Sequence, residues 1–144
     1  MKANELRPEY VELMPKVIEE GVLYISKKYG TAVHKCCCGC GQKVVTPLKP
    51  TEWTLSVAAG GVTLRPSIGN WSFPCRSHYW IRNNRVVWAG DMSAAEIERG
   101  RRLDRAAKQE YFARTGKKQA TPINPPAVRR PGLWKRLTTW FTSS

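Results

Sequence analysis

All five cysteines of this 144-residue chain sit at two places: Cys36, Cys37, Cys38 and Cys40 lie within five residues, and Cys75 stands alone. A disulfide framework spreads its cysteines to close loops, and four thiols this close in sequence cannot pair among themselves without severe strain. In a reducing compartment such crowding reads as metal chemistry. The fold must then bring residues 36–40 and residue 75 to one point, which restricts everything between them.

The donors run His34-Lys-Cys36-Cys37-Cys38-Gly-Cys40-Gly41 and then Cys75-Arg-Ser-His78. Zinc takes about four thiolate or imidazole ligands in a tetrahedron. Gly39 and Gly41 let the backbone turn closely around an ion. The candidate ligands are Cys36, Cys38, Cys40, Cys75 and His78, with Cys38, Cys40, Cys75 and His78 as the preferred four. Strand alternation puts His34, Cys36 and Cys38 on one face and leaves Cys37 as the spare. A Cys37-x-x-Cys40 pair with knuckle-like spacing is the competing choice. His34 stays outside the ligand set, as a packed strand residue or a partner of a ligand. An iron–sulfur site is the rival cofactor, disfavoured by His78 and the small supply of thiols.

Around these donors the pattern is that of short strands and tight turns. Val22–Ile25, Thr31–Lys35 and Lys43–Thr46 read as strands. Trp53–Val57 and Val62–Leu64 flank a glycine-rich turn, and His78–Arg82 and Arg85–Trp88 flank Asn83-Asn84. Asn-Asn tolerates left-handed backbone angles and signals a hairpin. Residues 8–20 carry a weak helical stripe interrupted by Pro15 and predict a short N-terminal helix. The class is α+β: a small antiparallel β-hairpin domain over 1–90, pinned by zinc and followed by a long basic helix.

That helix opens with the capping box Ser93-Ala-Ala-Glu96 and covers 91–116. Residues 117–132 are proline-rich and predict an extended linker. Over 133–144, Trp134, Leu137, Trp140 and Phe141 fall on one helical face with Leu133, which predicts an amphipathic helix that contacts a partner or folds back.

A net charge of +13, spread over both halves of the chain, favours acidic partners, nucleic acid among them. No apolar run reaches membrane-spanning length, and the acidic first twenty residues do not resemble a signal peptide, so a cytoplasmic location is expected.

Several separated motifs resemble a prokaryotic family of zinc-binding domains of unassigned function. They are Gly21-Val-Leu-Tyr24, His34-x-Cys36-x-Cys38-Gly-Cys40-Gly41, Thr46-Pro-Leu48, Trp53, Leu64-x-Pro66-Ser-Ile68 and Cys75-x-Ser77-His78-Tyr79, and the likeness covers about residues 10–90. Some members of that family are encoded beside ubiquitin-like proteins and their activating enzymes in bacteria. The resemblance implies zinc, a ubiquitin-like protein or its activating enzyme as partner, and a place in conjugation or removal, with phage defence as the setting.

Three functions compete. A zinc-stabilised adaptor uses all the thiolates for folding and is the favoured reading, with no enzymatic activity required. A metal- or thiol-dependent hydrolase of ubiquitin-like conjugates would need an open coordination site and a base. The chain has no HExxH motif, and Glu52 is the only carboxylate between residues 21 and 90. In the thiol variant, Cys36 or Cys37 would attack with His34 as base. Nucleic-acid binding would use Trp71, Phe73, Tyr79 and Trp80 beside Arg76, Arg82 and Arg85.

Overall fold

A computed structural model describes residues 1–119, in which the strand signals build two four-stranded sheets. In chain order the elements are β1 (Arg7–Tyr10), β2 (Val22–Ser26), β3 (Thr31–Lys35), β4 (Lys43–Pro47), β5 (Thr54–Ala58), β6 (Gly61–Gly69), β7 (His78–Arg82), β8 (Arg85–Trp88) and α1 (Ala94–Gln119). One sheet has the order β1-β2-β3-β4 and the other β5-β6-β7-β8. Every pairing is antiparallel except β1 with β2.

The N-terminal helix expected over 8–20 does not form. Arg7–Tyr10 joins β2 as a parallel strand, and the Val11 amide continues the ladder to the Ile25 carbonyl at 2.9 Å. A proline at 15 removes a helical donor, and the apolar residues of the stripe find better use elsewhere. Ile18, with Val11 and Met14 beside it, packs on Val22, Tyr24 and Val33, covering the outer face of the first sheet. This is why all five residues of β2 are buried.

The main core lies between the sheets. Leu23, Ile25, Ala32 and Val44 from the first meet Val62, Leu64, Ile68, Tyr79, Ile81 and Val86 from the second. The alternation is visible along β7, where Tyr79 and Ile81 face inward while His78, Trp80 and Arg82 face outward. Two-residue turns close the hairpins of the second sheet: Ala59-Gly60 and Asn83-Asn84 all have positive φ. Asn84 then anchors the Val62 amide through its side-chain oxygen at 2.7 Å.

Helix α1 begins with the expected reciprocal cap. The Ser93 amide donates to the Glu96 carboxylate at 2.8 Å, and the Glu96 amide to the Ser93 hydroxyl at 3.2 Å. The helix passes through Gly116 and continues to Gln119. It is exposed along most of its length, meeting the β domain through buried Ile97 and an ion pair from Lys108 to Glu52 at 2.7 Å. No helix among the described residues is long and apolar enough to cross a membrane. Trp134, Leu137, Trp140 and Phe141, with most of the proline-rich segment, lie outside the described residues.

Candidate functional site

The loop after β3 and the loop before β7 meet at one end of the two sheets. There the sulfurs of Cys36, Cys38, Cys40 and Cys75 all lie within 4.8 Å of one another. A zinc ion with Zn–S bonds of about 2.3 Å needs sulfurs roughly 3.8 Å apart at tetrahedral angles. The distances are 3.4 Å for Cys36–Cys38, 3.9 Å for Cys36–Cys75 and 3.8 Å for Cys40–Cys75. The cysteines are free thiols, and the donor set fits a tetrahedral, thiophilic metal ion. Cys37 is not among them; it points into the core, where burial pushes its thiol up to about 12.

Burial and the neighbouring thiols push Cys38 up to about 12. At Cys75 burial also opposes ionisation, but the hydroxyl and backbone of Ser77 and the thiols of Cys38 and Cys40 outweigh it and bring it down to about 7. Four thiolates this close repel one another, and a divalent cation is what makes the ionised set favourable.

A buried polar network backs the cluster. The Asn70 amide group donates to the Ser77 hydroxyl at 2.9 Å, which lies 3.0 Å from the Cys36 sulfur. Beside it the Tyr79 hydroxyl bonds His34 Nε2 at 2.8 Å. His34 is fully enclosed, and burial lowers it to about 4, so it is neutral at ordinary pH. Its ring is turned to Tyr79.

His78 stands apart from the sulfurs. Strand alternation sends Ser77 inward to Cys36 and His78 outward, onto the exposed face of the second sheet. There its Nδ1 lies 3.0 Å from the Gly90 carbonyl and its Nε2 2.9 Å from the Ser67 hydroxyl. A carbonyl only accepts, so in the neutral ring Nδ1 carries the proton and Nε2 accepts from Ser67. The pairing of Gly69 with His78 sets this geometry, since it brings Ser67 diagonally opposite the imidazole on the same face. Trp71 packs on the His78 ring with centroids 4.9 Å apart. Arg76 holds Trp71 from above at 5.3 Å and reaches the Asp91 carboxylate at 3.3 Å and the Met92 carbonyl at 3.2 Å. An open cleft of about 380 Å³ lies over the pair, between Trp53, Trp71 and the first turns of α1 at Ile97 and Gly100.

Residues 10–89, more than half of the chain, match a family described as a bacterial ubiquitination-like system serine protease, BubE. The chain belongs to this family. No curated protein and no solved structure matches it. The BubE match runs from the end of β1 through β8 and leaves α1 outside. Membership links the chain to bacterial ubiquitination-like systems, and the BubE description names serine chemistry where the residue pattern alone had raised metal and thiol chemistry. The matched segment holds Ser26, Ser56, Ser67, Ser72 and Ser77. Among the described residues, Ser67 is the one serine whose hydroxyl bonds a histidine nitrogen. Sequence reading passed over Ser67 although it sits in the Leu64-x-Pro66-Ser67-Ile68 motif, because its link to His78 depends on strand register.

Proposed function

We propose that this BubE member is a serine hydrolase that cleaves ubiquitin-like conjugates, with Ser67 as nucleophile and His78 as general base. The observation that carries it is the His78 ring, held between the Gly90 carbonyl and the Ser67 hydroxyl. The Gly90 carbonyl fixes the tautomer and steadies the positive charge of the protonated ring, as a third group does in serine hydrolases. Ser67 Oγ attacks the acyl carbon while its proton passes to His78 Nε2. The bond to the leaving amine or alcohol then breaks, and His78 returns the proton to that group. A water deprotonated by His78 next attacks the acyl ester, releasing the carboxylic acid and restoring Ser67.

In this reading Cys36, Cys38, Cys40 and Cys75 hold a structural zinc ion, a closed four-thiolate site suited to folding. The metal supplies a cross-link between the loop after β3 and the residue 70–77 connection. Asn70 and Ser77 shield and orient the Cys36 sulfur. A ubiquitin-like protein is the natural partner, as acyl donor.

The test is labelling with a fluorophosphonate followed by peptide mass mapping. Modification is expected at Ser67, and the variants Ser67→Ala and His78→Gln should each lose it. Hydrolysis of a ubiquitin-like conjugate should fall by at least about 10³-fold in Ser67→Ala. The adaptor reading draws support from Leu103 and Phe112, large apolar residues exposed on α1. A chain that takes no label but binds a ubiquitin-like protein through α1 would establish the adaptor instead.

A further inference from the structure

Strand β6 is nine residues long, but its partner β5 covers only Gly61 to Arg65. Beyond Arg65, Ile68 and Gly69 are paired on the β7 side alone. The Asn70 amide donates to the Ser77 carbonyl at 2.8 Å, so residue 70 faces β7. Hydrogen-bonding direction alternates along the regular pairing of Ile68 with Tyr79 and Gly69 with His78, which makes Ile68 face β7 as well and turns both main-chain groups of Gly69 and the Ser67 carbonyl to the open side, just past the register shift between Leu64 and Ile68. No backbone group among the described residues pairs with them there. An open sheet edge is a template for another extended chain, and this one carries the hydroxyl bonded to His78.

The space beside that edge is shaped. Where β5 gives out, the chain turns away at Trp53, whose amide bonds the Pro47 carbonyl at 3.1 Å. A cavity of about 200 Å³ remains between β4 and the end of β6, bordered by Trp53, Ile68, Gly69 and Phe73. It lies beside the larger cleft over Ser67 and His78, and Trp53 and Gly69 line both. Trp71 covers Gly69 so closely that a Cβ there would sit 2.3 Å from the indole nitrogen. Aromatic rings thus crowd the edge from both sides, while the groups offered for bonding are main-chain N–H and C=O. Such a groove recognises a polypeptide backbone.

We infer that the open β6 edge at Ser67–Gly69 binds the acyl part of the substrate as an added strand, an extended C-terminal tail running past Ser67 with its terminal carbonyl at the hydroxyl. This rests on Ser67 being the nucleophile.

The experiment compares acyl-coumarin esters as substrates of the full-length, metal-loaded protein. A four-residue acyl chain of glycine and alanine should exceed acetyl-glycine in kcat/KM by at least about 30-fold, since strand pairing adds two or more main-chain hydrogen bonds. N-methylation should then be scanned along that chain. Strand bonding predicts a period of two: a methyl on an amide facing β6 lowers kcat/KM about tenfold, and one on the next amide leaves it within about twofold. A flat N-methyl scan or equal turnover of the short ester, with turnover still lost in Ser67→Ala, overturns the strand-addition inference and leaves the serine reading standing. Turnover that survives Ser67→Ala overturns both. If no ester is hydrolysed, NMR titration with the corresponding tetrapeptide acid decides. Shifts confined to the amides of Ser67, Gly69 and their neighbours support strand addition, and unchanged amides there overturn it.

Discussion

The cysteine cluster and the Ser67–His78 pair share one piece of chain, the connection from Asn70 to His78, but use its two sides. Cys75 and Ser77 turn to Cys36 at the cysteine end of the molecule, while His78, one residue after Ser77, turns out to Ser67. The cluster takes three of its donors from residues 36–40, so local sequence nearly builds it. The serine–histidine pair joins two strands and depends on Gly69 lying opposite His78. In the proposed function one site serves as a pin and the other hangs from what it pins. Damage to the pin should reach the cleft, and damage in the cleft should not reach the pin.

The largest expected effect tests that asymmetry from the cleft side. Ser67→Ala should cost at least about 10³-fold in hydrolysis, roughly 4 kcal/mol of transition-state stabilisation. Its zinc content should stay that of the parent, and its Tm within about 2 °C, because Ser67 sits partly exposed on the outer face. A large fall in Tm would place Ser67 in the structural framework and weaken the catalytic assignment.

From the metal side the expected pattern is different. Cys75→Ser removes one of the four converging sulfurs and the anchor of the 70–78 connection. A loss of at least about 3 kcal/mol is expected, a fall of about 12 °C or more in Tm, with zinc lost from the protein by elemental analysis. Activity should fall with it, since the register that sets His78 against Ser67 is no longer held. His78→Gln, in contrast, should keep its zinc, because both ring nitrogens are occupied away from the sulfurs. Zinc lost from His78→Gln at a rate like that of Cys75→Ser would restore the histidine to the ligand set.

These contrasts show what the residue pattern could and could not reveal. The Asn83-Asn84 hairpin and the Ser93–Glu96 cap are local events, each decided by a few adjacent residues, and they were legible. The clustering of Cys36, Cys38 and Cys40 was legible for the same reason. His78 was read as a ligand from its Cys-x-x-His spacing, but that spacing suits a turn. Strand β7 begins at His78, and alternation there sends it to the face opposite Ser77. Tyr10 and Val11 were read as helical because a stripe of apolar residues with Pro15 in it looks similar to an edge strand followed by an irregular cover. Ser67 was invisible as chemistry because it lies eleven positions from its partner in sequence, beside a register shift between Leu64 and Ile68.

A third test asks how far the pin extends into the core. Tyr79→Phe removes the hydroxyl that bonds His34 at 2.8 Å, leaving a fully buried ring nitrogen without its partner. The cost should be about 1–3 kcal/mol, read as a lower urea midpoint with an unchanged slope. Zinc affinity should change little, since Ser77 and Asn70 still face Cys36. If Tyr79→Phe instead releases zinc, the His34–Tyr79 pair supports the metal directly, and the boundary between pin and core moves inward.

The smallest effect concerns α1, which belongs to neither region by its contacts yet walls the cleft at Ile97 and Gly100. Its second tie to the β domain is Lys108, bonded to Glu52 at 2.7 Å and to Asp104 at 2.9 Å. Hydrogen bonds donated to the Glu52 and Asp104 carboxylates hold the Lys108 ammonium above its ordinary range. Both side chains of the Glu52–Lys108 pair keep more than a quarter of their surface in solvent, at 29% and 27%, so water and salt screen it. Glu52→Gln should cost about 0.5 kcal/mol, near 2 °C in Tm, and the difference should vanish in high salt. Hydrolysis should change less than about threefold if Ile97 and the Ser93 cap alone suffice to seat the first turns of α1 over Ser67 and His78. A drop of tenfold or more, recovered when zinc and stability are unchanged by a compensating Lys108→Glu/Glu52→Lys exchange, would make the helix a working wall of the cleft. The comparison would then be between a rigid pin and a cleft whose far side depends on a screened ion pair beside Ile97.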